Sequence, residues 1–165
     1  SDDHADLLRS LRVHGKGMDK YDNVCIGMNS RLDTIQAAIL LDKLDEFSRE
    51  LINRNRLAEM YSKALEAEYD TPKIPAGYLS SWAQYTLIHK NRDLLIRKLK
   101  ERGIPGMVYY RTCMHQQSAF DYLKHQGNLF PNAERLSQCV ISLPMSPYQS
   151  VNDTNEIINR LNEFN

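Results

Sequence analysis

Residues 27–38 read GMNSRLDTIQAA, and they set three anion-binding groups together: the Asn29 amide, the Ser30 hydroxyl and the Arg31 guanidinium. Ser30 followed three residues later by Asp33, ahead of an apolar run, predicts a helix start of the capping-box kind. Arg31 then falls in the first helical turn, where the positive end of the macrodipole disfavours a cation. A phosphate or carboxylate on the unpaired N–H groups of that turn turns Arg31 into a bidentate partner. Without such a ligand the side chain curls into solvent at small cost.

A second set is Tyr109-Tyr110-Arg111 at a predicted strand end, with His115-Gln116 just beyond. Donors and acceptors in that position often face a ligand; the other reading packs the tyrosines in the core and leaves His115 on a surface loop. His14, in VHGKG, either caps a turn or serves a site. Arg54, inside an apolar stripe, reads as a structural residue that snorkels or pairs with a carboxylate.

Other chemistries lack their residues. The sequence has no glycine-rich phosphate loop of the P-loop or dinucleotide type, no GxSxG and no HExxH. Its three cysteines, Cys25, Cys113 and Cys139, form no CxxC pair and no close Cys/His cluster, so no metal site and no disulfide framework is expected. No side chain stands out as catalytic by itself. A net charge of +0 over 165 residues leaves no footprint for nucleic acid, and no apolar run has the length of a bilayer-spanning helix. A reduced, cytoplasmic location is the expectation.

The elements that must position these groups follow from periodicity. Leu7, Leu8 and Leu11 predict a helix over residues 3–12. From Ser30 onward, Leu40, Leu44, Phe47, Leu51, Ala58, Tyr61 and Leu65 recur at steps of three and four, with Arg54 filling one gap, and no Gly or Pro lies between Arg31 and Ala67. This is one bent helix or two nearly continuous ones, about 50 Å long at 1.5 Å per residue. Such a helix should brace against something outside its own domain. Strands are predicted over 82–89, 107–111 and 140–143. Helices are predicted over 92–102 (Asn91 cap, Gly103 stop), 118–125, 131–138 and 153–164. Strand–helix–strand followed by helix–strand–helix gives a small α+β sandwich entered by a long helix.

With those residues in place, the chain resembles the DegT/DnrJ/EryC1/StrS family of sugar-nucleotide aminotransferases. The resemblance is carried by LRVHG, KYDNVCIGMNSRLDTIQAAILLDKLDEF, AQYTL, GMVYY, MHQQSAF and FPNAERLSQCVISLPMSPY, and covers essentially the whole chain. The family pattern YYPxPxHxQ reads YYRTCMHQQ here, so Arg111 and Cys113 replace prolines while the tyrosines, histidine and glutamine remain.

The resemblance implies a pyridoxal-phosphate enzyme of aminotransferase fold type I that moves an amino group from glutamate to a keto-sugar of a UDP-sugar, working as a homodimer without nucleic acid or membrane. The wording of the NSRLDTIQAAIL segment is most similar to members acting on UDP-2-acetamido-2-deoxy-3-keto-glucuronate. It implies that residues 1–30 are the tail of the large cofactor domain, 31–67 a long connecting helix, and 68–165 a small C-terminal α/β domain with a mostly antiparallel sheet. Asn29 is implied to bind the cofactor phosphate of a partner subunit, and Arg31, Tyr109, Tyr110 and His115 the substrate. The cofactor-binding lysine of the family lies upstream of the segment matching RVHG, and Lys16 and Lys20 fall after it. The isolated chain is therefore expected to be inactive and to self-associate or be partly disordered over its first ~60 residues. A non-enzymatic regulatory or interaction module derived from the family is the alternative.

Overall fold

The computed structural model describes residues 1–19, 21–123 and 130–164. The parts of the 118–125 prediction beyond Leu123, and Lys20, lie outside them. The chain divides into two compact units, Ser1–Phe47 and Ser48–Asn165.

In the first unit, α1 (Asp2–Leu11) leads into a tight paired loop. Val13 pairs with Asn29 and Lys16 with Asn23 as isolated antiparallel bridges. His14 N–H donates to the Met28 carbonyl at 2.9 Å and Ser30 N–H to the Arg12 carbonyl at 2.9 Å. The backbone carrying Asn29 is thus strapped to the end of α1.

The long helix is a single element, α2 (Thr34–Leu65), and it starts later than Ser30. Its cap is Asp33: the Asp33 carbonyl accepts from Ala37 N–H at 2.8 Å, and the Gln36 side chain reaches back to Asp33 N–H at 3.4 Å. The D-x-x-Q spacing supplies the Gln36 half of a capping box, and with the helix running from Thr34 the expected Ser30 start is corrected and Arg31 lies before the helix, outside its first turn. The apolar stripe changes character along α2. Ile35, Ile39, Leu40, Leu41 and Leu44 are exposed, whereas Leu57, Ala58, Tyr61 and Leu65 are buried.

The second unit closes around that buried end. β1 (Tyr85–Ile88) and β2 (Val140–Leu143) form a two-stranded antiparallel sheet, with Tyr85 opposite Leu143 and Ile88 opposite Val140. Single bridges extend it on both edges, Asp70 to Ile88 and Met107 to Ser142. α3 (Arg92–Glu101), α4 (Pro131–Cys139) and α5 (Val151–Asn162) complete the unit. Met114–Gln116 and Ser118–Leu123 are short 3₁₀ turns. Tyr61, Leu65, Tyr85, Leu87, Leu99, Ile141 and Leu161 make one continuous core. As expected, α3 stops at Gly103, in the left-handed region at φ 74°. α5 begins two residues before the predicted 153, because Ser150 and Asp153 form a full capping box.

The strand predicted over 107–111 is reduced to one bridge, and an arginine accounts for this. Met107 and Ser142 exchange both backbone bonds, at 3.1 and 2.7 Å. Two residues along the same edge of β2, where Tyr109 would pair next, the Val140 carbonyl instead accepts from Arg92 Nη1 at 3.1 Å. Arg92, with 5% of its surface exposed, also donates to the Ser137 carbonyl at 3.2 Å. Its Nε lies 2.7 Å from Asp93 Oδ1 without the alignment of a hydrogen bond. The edge is taken, and residues 109–112 leave the sheet as a turn.

The first predicted strand is also shorter than 82–89, since Trp82 sits at φ 47°, outside strand geometry. It is held there from α2. Trp82 Nε1 donates to Asn55 Oδ1 at 3.0 Å, Asn55 Nδ2 donates to the Ser80 carbonyl at 3.2 Å, and Arg54 Nη1 donates to the Trp82 carbonyl at 3.0 Å. Arg54 is structural, as read, but its partner is a carbonyl and not a carboxylate. Asn55→Ala leaves the buried indole N–H unpaired and is expected to cost about 1–3 kcal/mol in urea unfolding. Asn55→Asp keeps the acceptor and should lose less; equal losses would show that the indole bond is not the source.

Candidate functional site

The turn at 109–112, the first 3₁₀ turn and the start of α4 enclose a cavity of about 850 Å³ in the second unit. Tyr109, Tyr110, Met114, His115, Phe120, Phe130 and Val140 line it. The tyrosines are not core residues: Tyr109 is 40% and Tyr110 73% exposed, with their rings edge to face at 5.7 Å. Three of the residues singled out in the sequence, Tyr109, Tyr110 and His115, therefore meet in one aromatic hollow. Such a surface suits a flat or pyranose-like ligand with a few polar contacts to orient it.

His115 is no loose surface residue. Its Nε2 lies 2.9 Å from Glu134 Oε1, with only 13% and 18% of the two side chains exposed. Its ring stands 4.8 Å from that of Phe130. Glu134 escaped the sequence reading because it is 19 residues away and looks like any acid in a first helical turn. Arg111, standing where the family pattern has proline, donates to Asp93 Oδ1 at 3.1 Å. That bond, with the charge of Arg92, holds the Asp93 carboxyl below its ordinary range. An ion pair thus tethers the turn to the start of α3.

Asn29 and Arg31 belong to the first unit and are exposed. Arg31 lines a shallow groove of about 450 Å³ together with Arg12, Ser30 and the apolar Leu8, Leu11 and Leu32. Arg12 is the addition here, a second guanidinium on the groove that the sequence reading passed over. His14 sits at φ 61° at the bend of the paired loop, the place of a turn residue. Among the described residues no group of His, Cys, Asp and Glu could hold a metal ion, and no helix is long and apolar enough to cross a membrane.

The family model described as the DegT/DnrJ/EryC1/StrS aminotransferase family matches residues 1–162. The chain belongs to this family. A curated relative, the UDP-2-acetamido-2-deoxy-3-oxo-D-glucuronate aminotransferase of Pseudomonas aeruginosa, is 36% identical over 89% of this chain and 40% of its own length. The "Pleiotropic regulatory protein" of Geobacillus stearothermophilus is 36% identical over 99% of this chain and 45% of its own. Among solved structures, a DegT DnrJ EryC1 StrS aminotransferase from Brucella abortus superposes with a TM-score of 0.89 at 44% identity, covering 99% of this chain and 44% of that one. The chain thus spans less than half the length of the relatives it matches.

The family implies pyridoxal phosphate, and the residues present fit one end of it. Asn29 and Arg31 carry exposed donors of the kind a phosphate takes, without a side-chain hydrogen bond or ion pair to other described residues. The covalent end does not fit: among the described residues no lysine lines the aromatic cavity or the arginine groove, and Lys63 is engaged with Glu59 at 2.8 Å.

Proposed function

We propose that this chain is the C-terminal portion of a pyridoxal-phosphate-dependent sugar-nucleotide aminotransferase, which moves an amino group from glutamate to a keto-sugar of a UDP-sugar. In this reading residues 68–165 are the small domain of a fold type I enzyme, 31–67 the connecting helix and 1–30 the tail of the cofactor domain. The enzyme works as a cytoplasmic homodimer. Asn29 binds the cofactor phosphate of a partner subunit, and Arg31, Tyr109, Tyr110 and His115 bind substrate. The observation that carries the reading is the meeting of Tyr109, Tyr110 and the Glu134-backed His115 in one cavity. It gives a sugar nucleotide aromatic faces to lie on and a polar group for a hydroxyl. The relatives acting on 3-oxo sugars favour the 3-keto position. An arginine suited to a carboxylate favours a uronate.

The chain contributes binding groups, and no lysine is among the described residues at its cavity, so the 165 residues by themselves are expected to give no turnover. The protein that carries this chain, assayed over the length of its relatives with glutamate, should aminate a 3-keto UDP-uronate and leave a 4-keto UDP-sugar largely untouched. Amination of the 4-keto sugar alone corrects the substrate. No amino-sugar from either, in a folded protein, supports the second reading, a regulatory module, which the G. stearothermophilus relative favours.

A further inference from the structure

Of residues 109–115, all but Arg111 line the aromatic cavity. Arg111 is engaged outside it, where its Nη1 donates to Asp93 Oδ1 at 3.1 Å. The same carboxylate oxygen lies 2.7 Å from Arg92 Nε. Arg92 in turn donates to the Ser137 and Val140 carbonyls at 3.2 and 3.1 Å, and both of those residues line the cavity as well. One carboxylate thus joins a guanidinium that grips one stretch of the cavity wall to a guanidinium carried by another.

The stretch carrying the tyrosines has need of that join. After the Met107 bridge its backbone leaves the sheet. Among the described residues, the polar ties of residues 109–112 to the rest of the chain are the Arg111–Asp93 bond and a local one, from Gln117 Nε2 to the Thr112 carbonyl at 3.3 Å. The two ends of the triad differ in exposure: Arg92 keeps 5% of its side-chain surface, against 68% for Asp93 and 58% for Arg111. Salt therefore screens the outer bond and spares the inner one. An exposed pair adds little to global stability, but a turn with few other ties feels its loss locally. We propose that Asp93 is a positioning residue for the cavity: it couples the wall held by Arg92 to the Tyr109–Tyr110 turn held by Arg111, so that the placement of the tyrosines, and ligand affinity with it, is sensitive to salt. The ligand half of this rests on the substrate reading given above; the tether half does not.

The test uses the full chain labelled with 15N and reads the backbone order parameters of Tyr110 and Thr112. In the native chain at low salt they should lie near the rigid value of about 0.85, and in R111Q and D93A they should fall below about 0.6. R111K, which keeps a cation, should lose less. Raising NaCl to about 1 M, where the screening length is about 3 Å, should loosen the native turn and change R111Q little. The double variant D93A/R111Q should be no looser than either single one, since both remove the same bond. Affinity for UDP-N-acetylglucosamine should weaken about two- to fivefold in R111Q, the range open to an exposed pair. Unchanged order parameters in folded R111Q and D93A overturn the proposal, as do additive losses in the double variant. If D93A does not fold, because buried Arg92 loses its neighbouring charge, R111Q and the salt series decide. The expected order parameters without any UDP-N-acetylglucosamine binding to the native chain leave the tether standing and count against the substrate reading instead.

Discussion

Replacing Tyr61 by alanine should destabilise the second unit by about 3–5 kcal/mol, the range for emptying a large aromatic site. The residue is fully buried on α2, its ring lies 5.0 Å from that of Tyr85, and it joins α2 to two other segments through its hydroxyl. That hydroxyl donates to the Pro144 carbonyl at 3.0 Å and accepts from Gln149 Nε2 at 2.9 Å. Gln149 in turn holds Thr154 Oγ1 at 2.8 Å. Tyr61→Phe keeps the ring and removes the junction, so its loss should be nearer about 1–3 kcal/mol. The pair of variants separates packing from hydrogen bonding in one urea titration series.

The same phenol makes stability depend on alkaline pH. Burial pushes the Tyr61 hydroxyl up from 10.0 to about 12, against the lowering effect of the Gln149 bond. Between those values the unfolded chain has released this proton and the folded chain still holds it. Stability is therefore intact below pH 10 and falls as pH rises toward 12, with a slope of up to ~1.4 kcal/mol per pH unit for one proton. Burial raises Tyr85 as well, with the same sign. Tyr61→Phe should flatten the alkaline limb by about one proton's worth, and an unchanged limb would assign it elsewhere.

What could be read from sequence was whatever depends on neighbours. The apolar steps of α2, the Gly103 stop and the Val140–Leu143 run all came through, because three- and four-residue spacings and turn residues act locally. The misreadings trace to longer reach. The start of α2 moved because D-x-x-Q at Asp33 outcompeted S-x-x-D at Ser30, with the Gln36 side chain accepting from Asp33 N–H. The strand at 107–111 was lost to Arg92, whose guanidinium comes from 48 residues away to occupy the Val140 carbonyl. At the site, residue types singled out Tyr109, Tyr110 and His115, whereas Glu134 and the groove partner Arg12 are visible only once the chain is folded. Arg111 for proline looked like a defect in a pattern; in the fold it replaces a stiff turn with an ion pair to Asp93.

Gly27→Ala is expected to disrupt the first unit selectively. A Cβ on Gly27 would stand 2.1 Å from Gly15 N and 2.6 Å from both the His14 carbonyl carbon and the Leu11 oxygen. All three are backbone atoms, which cannot rotate aside as the tip of a side chain can. The loss should meet or exceed the top of the roughly 1–3 kcal/mol range for overpacking. The pairing of Val13 with Asn29 must open to relieve it, and Asn29 and Arg31 lose their register with it. The glycine of G-x-N-x-R is therefore a packing requirement that lets the backbone carrying Asn29 and Arg31 be strapped to α1. Gly103→Ala is the control: nothing lies within 4 Å of its Cβ, so it pays only for the left-handed backbone, about 1 kcal/mol. Hydrogen exchange should show G27A losing protection across residues 1–30 while the second unit keeps its own, and G103A leaving the first unit unchanged. Full protection of Ser30 N–H in G27A would mean that the loop relaxes without opening, and that the glycine is not what holds Asn29 in place.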